Sequence, residues 1–212
     1  CKLAGIKRLT PDNVDITVEK VWCAIRDDTT QIFQWEGNAG NTYIKKLLSD
    51  DNIKKFQAAH ENVDKMTLLT IGNSAIRPAG ASYRDDLANG VIRKTGSAPI
   101  DDFLSNTFGY LVFQEQIISF LNQYCGFTMG EADIVRRGFA KKTGTDKYIP
   151  IIKNGGYLTE ESKHYIKGYI DIMNEKYNIS REKSEEDIAA FIQVIEDASD
   201  YLFSQNHSQP YS

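Results

Sequence analysis

Residues 109–142, GYLVFQEQIISFLNQYCGFTMGEADIVRRGFAKK, decide the fold class of this chain. Their first half, residues 110–124, is strongly apolar and places its aliphatic side chains at helical spacing. Cys125-Gly126 ends this helix, because glycine is the favoured residue just past a helix. Thr128-x-x-Glu131 is a capping box that opens a second helix, which runs to the end of the stretch. The sequence therefore predicts two consecutive helices joined by a tight turn.

Helical periodicity continues on both sides of this pair. The other predicted helices are 17–26 capped by Thr17, 42–48, a helix capped by Ser49 and running to about 59, 62–71 ending at Gly72-Asn73, 159–177, and about 185–203 capped by Ser184. Residues 31–37 alternate like a short strand or an extended turn, and residues 82–98 favour a loop. We expect an all-α fold, mostly helical, with at most a short β-hairpin near residues 30–36.

The expected organisation is one unit or two subdomains. Residues 1–158 would form the larger part, with the helix that carries the cationic residues described below, and residues 159–212 a C-terminal helical part. The best hinge candidate is the glycine-containing stretch 153–156.

Composition narrows the functional class. The 212 residues include 25 Lys and Arg against 29 Asp and Glu, a formal charge of −4, which disfavours a globally basic nucleic-acid binder but permits a local basic patch. No window approaches 18 consecutive apolar residues, so no transmembrane helix is expected. The three cysteines, Cys1, Cys23 and Cys125, lack zinc-ligand spacing and favour a reducing cytosol.

The strongest candidate site is the cationic end of the second helix. Arg137 and Lys141 are four residues apart and face the same way, with Arg136 and Lys142 to either side. The apolar residues of this helix, which anchor its opposite side, are Met129, Ala132, Val135 and Phe139. Such a rigid face suits a polyphosphate, since arginine offers a planar fork and lysine a point charge. The alternative is an ordinary solvated face, with Glu131 and Asp133 nearby.

Three further groups could carry chemistry. Arg77 precedes a proline, in a stiff loop able to aim one guanidinium, although a plain turn is the simpler interpretation. Asn206-His207-Ser208 could bind phosphate or a base, or could be merely exposed. The polar residues Gln114, Glu115 and Gln116 on an apolar helix could build a polar network or read a base, or could mark a helix boundary face.

No complete catalytic centre is visible. Two-metal nucleotidyl transfer needs converging carboxylates, whose usual sign is Asp-x-Asp on a strand, and the acidic pairs here are adjacent instead, as in Asp85-Asp86. A phosphate-binding Gly-x-x-x-x-Gly-Lys-Ser/Thr loop is absent, as are the Gly-x-Ser-x-Gly and His-Glu-x-x-His motifs. We therefore assign no catalytic residue and no metal ligand to these residues.

Five segments resemble, in the same order, the motifs of one family: residues 29–36, 76–80, 108–116, 130–142 and 203–212. The fourth, GEADIVRRGFAKK, is similar to the family's GxADxLRRAMxKK, and the third, FGYLVFQEQ, to its YGxxVYQEQ. The family is that of the C-family bacterial replicative DNA polymerases, the alpha subunit of DNA polymerase III. The stretch between the fourth and fifth segments is longer than in typical members.

The resemblance implies a fingers domain, which closes over the incoming deoxynucleoside triphosphate (dNTP) and the template. It implies a dNTP site formed by Arg77, Arg136, Arg137, Lys141, Lys142, Asn206, His207 and Ser208, with polar support from Gln34, Gln114 and Gln116. The family's catalytic aspartates, and the Mg²⁺ they hold, belong to a palm upstream of this segment. The chain would then be a piece of a larger DNA-directed DNA polymerase, with no cofactor of its own and inactive alone.

The implied partners are dNTP, primer-template DNA, the palm and thumb domains and a sliding clamp, without a membrane. The expected location is the cytoplasm of a bacterium, and the protein would be encoded by the cell or by a phage. Two other functions stay open. One is a non-catalytic module for single-stranded nucleic acid that stacks bases on Tyr148 and Tyr157. The other is a protein-interaction scaffold that docks through the acidic helices from Thr159 onward.

Overall fold

The computed structural model describes residues 10, 13–30, 32–61, 63–199, 202, 204 and 205. Their secondary structure is α-helical, which confirms the predicted all-α class. The helices are α1 (Glu19–Asp27), α2 (Asn38–Leu47), α3 (Asp50–Ala59), α4 (Lys65–Ala75), α5 (Arg84–Ala88), α6 (Ala98–Phe103), α7 (Gln114–Cys125), α8 (Met129–Lys141), α9 (Thr145–Asn154), α10 (Tyr169–Tyr177) and α11 (Arg181–Ser199). Two short 3₁₀ helices, Pro78–Ser82 and Ser105–Thr107, lie between them.

The predicted helix pair is present as α7 and α8. Gly126 adopts φ 82°, the left-handed conformation in which a side chain would be strained, and this turns the chain out of α7. At the start of α8, Thr128 Oγ1 accepts from the Glu131 N–H, and Glu131 Oε2 accepts from the Thr128 N–H at 2.8 Å. The capping box is therefore formed as the sequence predicts.

Helix α7 begins at Gln114 rather than at residue 110. Gln116 Oε1 accepts from the N–H groups of Val112 and Phe113 at 2.8 and 2.9 Å. This side chain satisfies backbone donors just before the helix, so the preceding residues stay extended.

Two hydrophobic cores organise the chain. The first core gathers residues of α1–α5 and of the turn before α2, among them Trp22, Trp35, Ile44, Leu47, Phe56, Leu68, Leu69 and Leu87. The second core gathers residues of α6–α11, among them Ile117, Phe120, Leu121, Val135, Phe139, Ile152, Met173, Phe191 and Ile195. The extended residues before α7 join them, because Tyr110 and Val112 pack into the first core and Leu111 into the second.

Several predicted boundaries are wrong in the first half. Helix α1 begins at Glu19, with Val18 as its N-cap. Thr17 Oγ1 donates to Asp15 Oδ1 instead of capping the helix. Helix α4 does not stop at Gly72-Asn73 but continues to Ala75, since all residues from Leu68 to Ala75 are buried. A β-carbon at Gly72 would lie only 3.2 Å from the Trp35 ring, so close packing accounts for this glycine.

The predicted strand or turn at 31–37 is a turn over residues 32–37. Within the described part of this segment, the Trp35 N–H donates to the Ile32 carbonyl and Gln34 has φ 70°. The predicted 82–98 loop contains the short helix α5, and α6 and α9 were not predicted. Each of these two helices contains a proline, Pro99 in α6 and Pro150 in α9, which weakens the helical pattern in the sequence.

The long polar helix predicted over 159–177 is wrong in its first half. Gly156 and Ile166 exchange two backbone hydrogen bonds of 2.8 Å, which form an isolated antiparallel β-bridge. Gly168, at φ 82°, donates its N–H to the Cys125 carbonyl at 2.9 Å, and only then does α10 begin. A polar stretch without an apolar stripe gains little from helix formation, and this one is mostly exposed, with Ile166 near its end buried in the second core.

The last helix also begins earlier than predicted. It starts at Arg181, with Ser180 Oγ accepting from the Lys183 N–H at 3.3 Å. Ser184, the predicted cap, is buried inside α11. The C-terminal helices α10 and α11 contact α7, α8 and α9, and the division into 1–158 and 159–212 stays a prediction. In the described part of the chain, no helix is both long and apolar enough to cross a bilayer.

Packing at Gly138 gives a stability prediction. A β-carbon there would overlap the Tyr148 ring and lie 2.9 Å from the Thr143 carbonyl oxygen, so backbone must move. We expect Gly138→Ala to lower the free energy of unfolding by about 1–3 kcal/mol, in urea denaturation followed by circular dichroism. Gly130→Ala, in the same helix but with open space around it, is the control and should gain about 0.5 kcal/mol. Equal effects of the two substitutions would contradict the packing argument.

Candidate functional site

Helix α8 carries the cationic residues on a firmly anchored frame. Ala132, Val135 and Phe139 are buried in the second core, as predicted for the opposite side. Met129 was predicted to anchor the helix as well, but it is 57% exposed, because it occupies the first helical position outside the core. The anchored side fixes where the arginines and lysines project.

Asp133 holds both arginines of this helix. Its Oδ1 accepts from Arg136 Nε at 3.0 Å and Nη2 at 2.7 Å. Its Oδ2 accepts from Arg137 Nε at 2.8 Å and from Arg137 Nη2. The hydrogen bond from Arg137, and then that from Arg136, lower the pKa of Asp133, and Asp133 in turn raises the pKa of Arg137. One carboxylate therefore orients two guanidinium groups.

The two arginines differ in their surroundings. The Arg136 side chain is 20% exposed, and its Nη1 also donates to Gln114 Oε1 at 2.9 Å. Arg136 and Gln114 line a cavity of about 140 Å³ between α7, α8 and the end of α11. The Arg137 side chain is 62% exposed and projects toward solvent. Arg136 thus ties α8 to α7, and Arg137 presents its charge.

The two lysines separate at the end of α8. Lys141 is exposed in the last helical turn. Lys142 has φ 53° and lies at the C-cap, so its side chain leaves the helical register. With Phe139, Thr145, Glu196 and Asp197, it lines a different cavity of about 420 Å³. The four cations of this stretch therefore do not all share one helical face.

Arg77 lies at the end of α4, on the side of the first core. Arg84 donates from Nε to the Ala75 carbonyl at 2.8 Å and from Nη2 to the carbonyls of Ile76 and Arg77 at 2.8 and 3.0 Å. The Gln34 amide, oriented by its hydrogen-bond partners, accepts from Arg77 Nη2 at 2.8 Å and Nε at 3.1 Å. Gly80 packs against the Ala75 backbone, where a β-carbon would overlap it. Several contacts thus fix the position of Arg77.

The three predicted supporting glutamines have different contacts. Gln34 contacts Arg77 and Gln114 contacts Arg136. Gln116, besides its contacts with Val112 and Phe113, donates from Nε2 to Thr107 Oγ1 at 2.8 Å, so its observed contacts are with the backbone and a threonine.

The triplet Asn206-His207-Ser208 lies outside the described residues. The residues just before it are tied to α7: Glu115 Oε1 accepts from Ser204 Oγ at 2.5 Å, and Oε2 accepts from the Gln205 N–H at 3.0 Å. Glu115 therefore anchors the chain at the point where the triplet begins. The sequence pattern does not predict this role of Glu115, because its partners are about 90 residues away along the chain.

The structure brings Arg136, Arg137 and Gln114 together and, separately, Arg77 and Gln34. That these groups, with the lysines and the triplet, surround one triphosphate stays a prediction. Among the described residues, no three His, Cys, Asp or Glu side chains are placed to hold a metal ion.

Comparison with known proteins supports the resemblance seen in the motifs. The family model of the bacterial DNA polymerase III alpha subunit finger domain matches residues 69–149. That range includes Arg77, Gln114, Gln116 and the cationic end of α8, and it ends before residues 203–212.

Three relatives named DNA polymerase III subunit alpha illustrate the similarity. The protein of Staphylococcus epidermidis (strain RP62A) is 28% identical over 211 residues, covering 94% of this chain and 17% of the relative. Those of Bacillus subtilis (strain 168) and Staphylococcus aureus (strain Mu50) are 28% and 29% identical, covering 88% and 87% of this chain and 14% and 15% of the relatives. The chain spans about a sixth of the length of these relatives. The resemblance to the alpha subunit, and to its finger domain in particular, is confirmed.

The hydrogen bonds that Asp133 accepts from Arg136 and Arg137 predict that the stability of the fold depends on pH. Because the Asp133 pKa is lowered in the folded chain, its stabilising effect is complete above the unfolded value of about 3.9 and is lost as pH falls through the folded value. We expect the free energy of unfolding of Asp133→Asn to fall less between pH 5 and pH 3 than that of the original chain, in urea titrations. Asp27→Asn, at an exposed position, is the control. Parallel pH profiles for the original chain and Asp133→Asn would show that the pair adds no stability.

The Glu115 anchor predicts a local effect. Glu115→Gln keeps the shape of the side chain but removes the negative charge that strengthens both hydrogen bonds. A hydrogen bond to a charged group contributes about 1.5–3 kcal/mol to stability. We expect amide hydrogen exchange at Gln205 to become about tenfold faster or more, while exchange within α8 is unchanged. Gln123→Glu, on the same helix, is a control for altered charge on α7. Unchanged exchange at Gln205 would contradict the anchoring role.

Proposed function

We propose, from the premise that this chain carries the finger domain of a bacterial DNA polymerase III alpha subunit, that it binds the triphosphate of the incoming dNTP, and the template, during DNA-templated nucleotidyl transfer. The observation that carries the proposal is the Arg136–Arg137 pair, which one carboxylate orients on a helix anchored in the second core. The helix lies within the range matched by the finger-domain model.

Arg137 and Lys141 are the proposed triphosphate contacts. Both are exposed and lie one helical turn apart, so they can meet neighbouring phosphates. Arg137 offers phosphate oxygens the N–H groups that are not bonded to Asp133, and Lys141 offers a mobile point charge. Asp133 already holds the Arg137 side chain in one conformation, which reduces the entropy lost when a ligand binds.

Arg136 is proposed as a positioning residue. Its contacts with Asp133 and Gln114 leave little of it exposed, and they fix the orientation of α8 against α7. Arg77, held by Gln34, and the triplet that follows the Glu115 anchor would complete the pocket when the domain closes. Lys142 would contribute from the end of α8.

The chemical role of such a clamp is electrostatic. Nucleotidyl transfer relies mainly on positioning and charge stabilisation, and negative charge develops on the leaving pyrophosphate. Fixed cations near that group stabilise the transition state without reorganising. The metal ions of this reaction would lie in a palm domain and supply Lewis-acid chemistry there; the described residues contain no site that fits them.

The wider setting follows from the same proposal. The full-length protein would be a DNA-directed DNA polymerase acting on primer-template DNA in the cytoplasm. Its palm and thumb domains, and a sliding clamp, would be further partners. The chain alone should not incorporate nucleotides, because the carboxylates that bind the metals would be elsewhere.

Removing the exposed guanidinium tests the proposal. In a polymerase that contains this finger domain, we expect Arg137→Ala to raise the Michaelis constant for dNTP about tenfold or more and to slow incorporation, because a charge-assisted hydrogen bond is lost. Arg181→Ala, which removes an exposed arginine paired with Glu185 on α11, is the matched control.

The measurement is single-nucleotide primer extension at varied dNTP concentration. Full activity after simultaneous replacement of Arg136, Arg137 and Lys141 by alanine would overturn the clamp assignment. If Arg181→Ala reduced primer extension as much as Arg137→Ala does, the effect would not be local to α8.

A further inference from the structure

We infer that Tyr157 and Tyr165 form a stacking platform for single-stranded DNA, presented on the loop that connects α9 with α10. The inference rests on the proposed polymerase function, which gives the chain a single-stranded template to bind, and it assigns that strand a surface away from the arginines of α8.

The two tyrosines form an exposed pair. Their ring centroids are 5.3 Å apart, with the rings nearly perpendicular at 76°. Tyr157 is 55% exposed and Tyr165 is 52% exposed, although aromatic rings of this size usually bury most of their surface. Single exposed apolar residues need no explanation, but these two rings together present one exposed aromatic surface.

The loop that carries them is held in place. The mutual backbone bonds of Gly156 and Ile166 lie directly beside the two tyrosines and set them opposite each other. Ile166 and Leu158 are buried in the second core, on either side of the exposed rings. A surface fixed in this way loses little entropy when a ligand stacks on it.

The loop also contacts the arginine-bearing helix. His164 Nδ1 lies 2.9 Å from Glu131 Oε2, the carboxylate of the capping box at the start of α8. Tyr148, which the sequence paired with Tyr157, is instead half-buried against Gly138 and Gly144. The partner of Tyr157 is therefore Tyr165.

Charge favours nucleic acid over protein as the ligand. Residues 129–167 contain eight Lys and Arg and five Asp and Glu, whereas the rest of the chain contains 17 basic and 24 acidic residues. The positive charge of an acidic chain is thus concentrated in the stretch that includes α8, α9 and this loop. Aromatic rings beside positive charge are the combination that binds single strands without sequence preference.

The experiment measures the affinity of the chain for a fluorescently labelled oligothymidylate of 12 nucleotides, by anisotropy titration at several salt concentrations. Replacing both tyrosines by alanine should weaken binding about tenfold or more, because base stacking is lost. Replacing both by phenylalanine should preserve binding, because the rings remain. Phe33→Ala, at another half-exposed aromatic residue outside the loop, is the control. Thermal melting verifies that each variant is folded.

The outcomes are separable. Unchanged binding by the double alanine variant, an equal loss in the double phenylalanine variant, or absence of binding by the original chain would each overturn the platform. Absence of binding would point to a protein partner instead. Equally tight binding of a duplex of the same length would attribute the affinity to charge rather than stacking. The dNTP Michaelis constant of Arg137→Ala tests the proposed function separately, so either idea can fail while the other stands.

Discussion

The structure depends on one short extended segment that both hydrophobic cores share. Tyr110 and Val112 pack into the first core and Leu111 into the second, so adjacent residues serve opposite sides. Thr107 and Gln116 satisfy the polar groups around it: Thr107 Oγ1 donates to the Tyr110 carbonyl at 2.6 Å, and Gln116 accepts from Val112 and Phe113. Because no polar backbone group can be left unpaired in a buried segment without cost, these side chains decide where α7 begins.

Local signals made the α7–α8 pair predictable. The capping box at Thr128 and Glu131 and the turn at Gly126 need only neighbouring residues, and the structure contains both. Features that depend on distant residues were not predictable. Gly72 does not end α4, because it packs against Trp35 and Leu47 from elsewhere in the chain. Similarly, residues 159–168 do not form a helix, because Ile166 pairs with Gly156 and packs in the second core.

The candidate site also combines features that neighbouring residues predict with features that depend on distant residues. The placement of Arg137 and Lys141 on an exposed part of α8 follows from helical spacing, and Asp133 lies at the spacings of three and four residues that allow its two ion pairs. That Asp133 accepts from both arginines at once follows from the three-dimensional structure and not from the spacing. The Glu115 anchor for Ser204 and Gln205 joins residues about 90 positions apart, and no periodic pattern could reveal it. The resemblance to family motifs places residues 108–116 and 203–212 in one domain, whereas helical periodicity does not connect them.

On the proposed function, the carboxylate of Asp133 would also affect selectivity among cellular anions. Asp133 Oδ2 already accepts from Arg137 Nε and Nη2, so it partly neutralises the charge that an approaching anion meets. Chloride or a lone orthophosphate would gain little from the remaining N–H groups of Arg137, whereas a chain of linked phosphates would also reach Lys141. An acid on the same helix would thereby favour ligands of higher charge and keep small ions from saturating the exposed arginine.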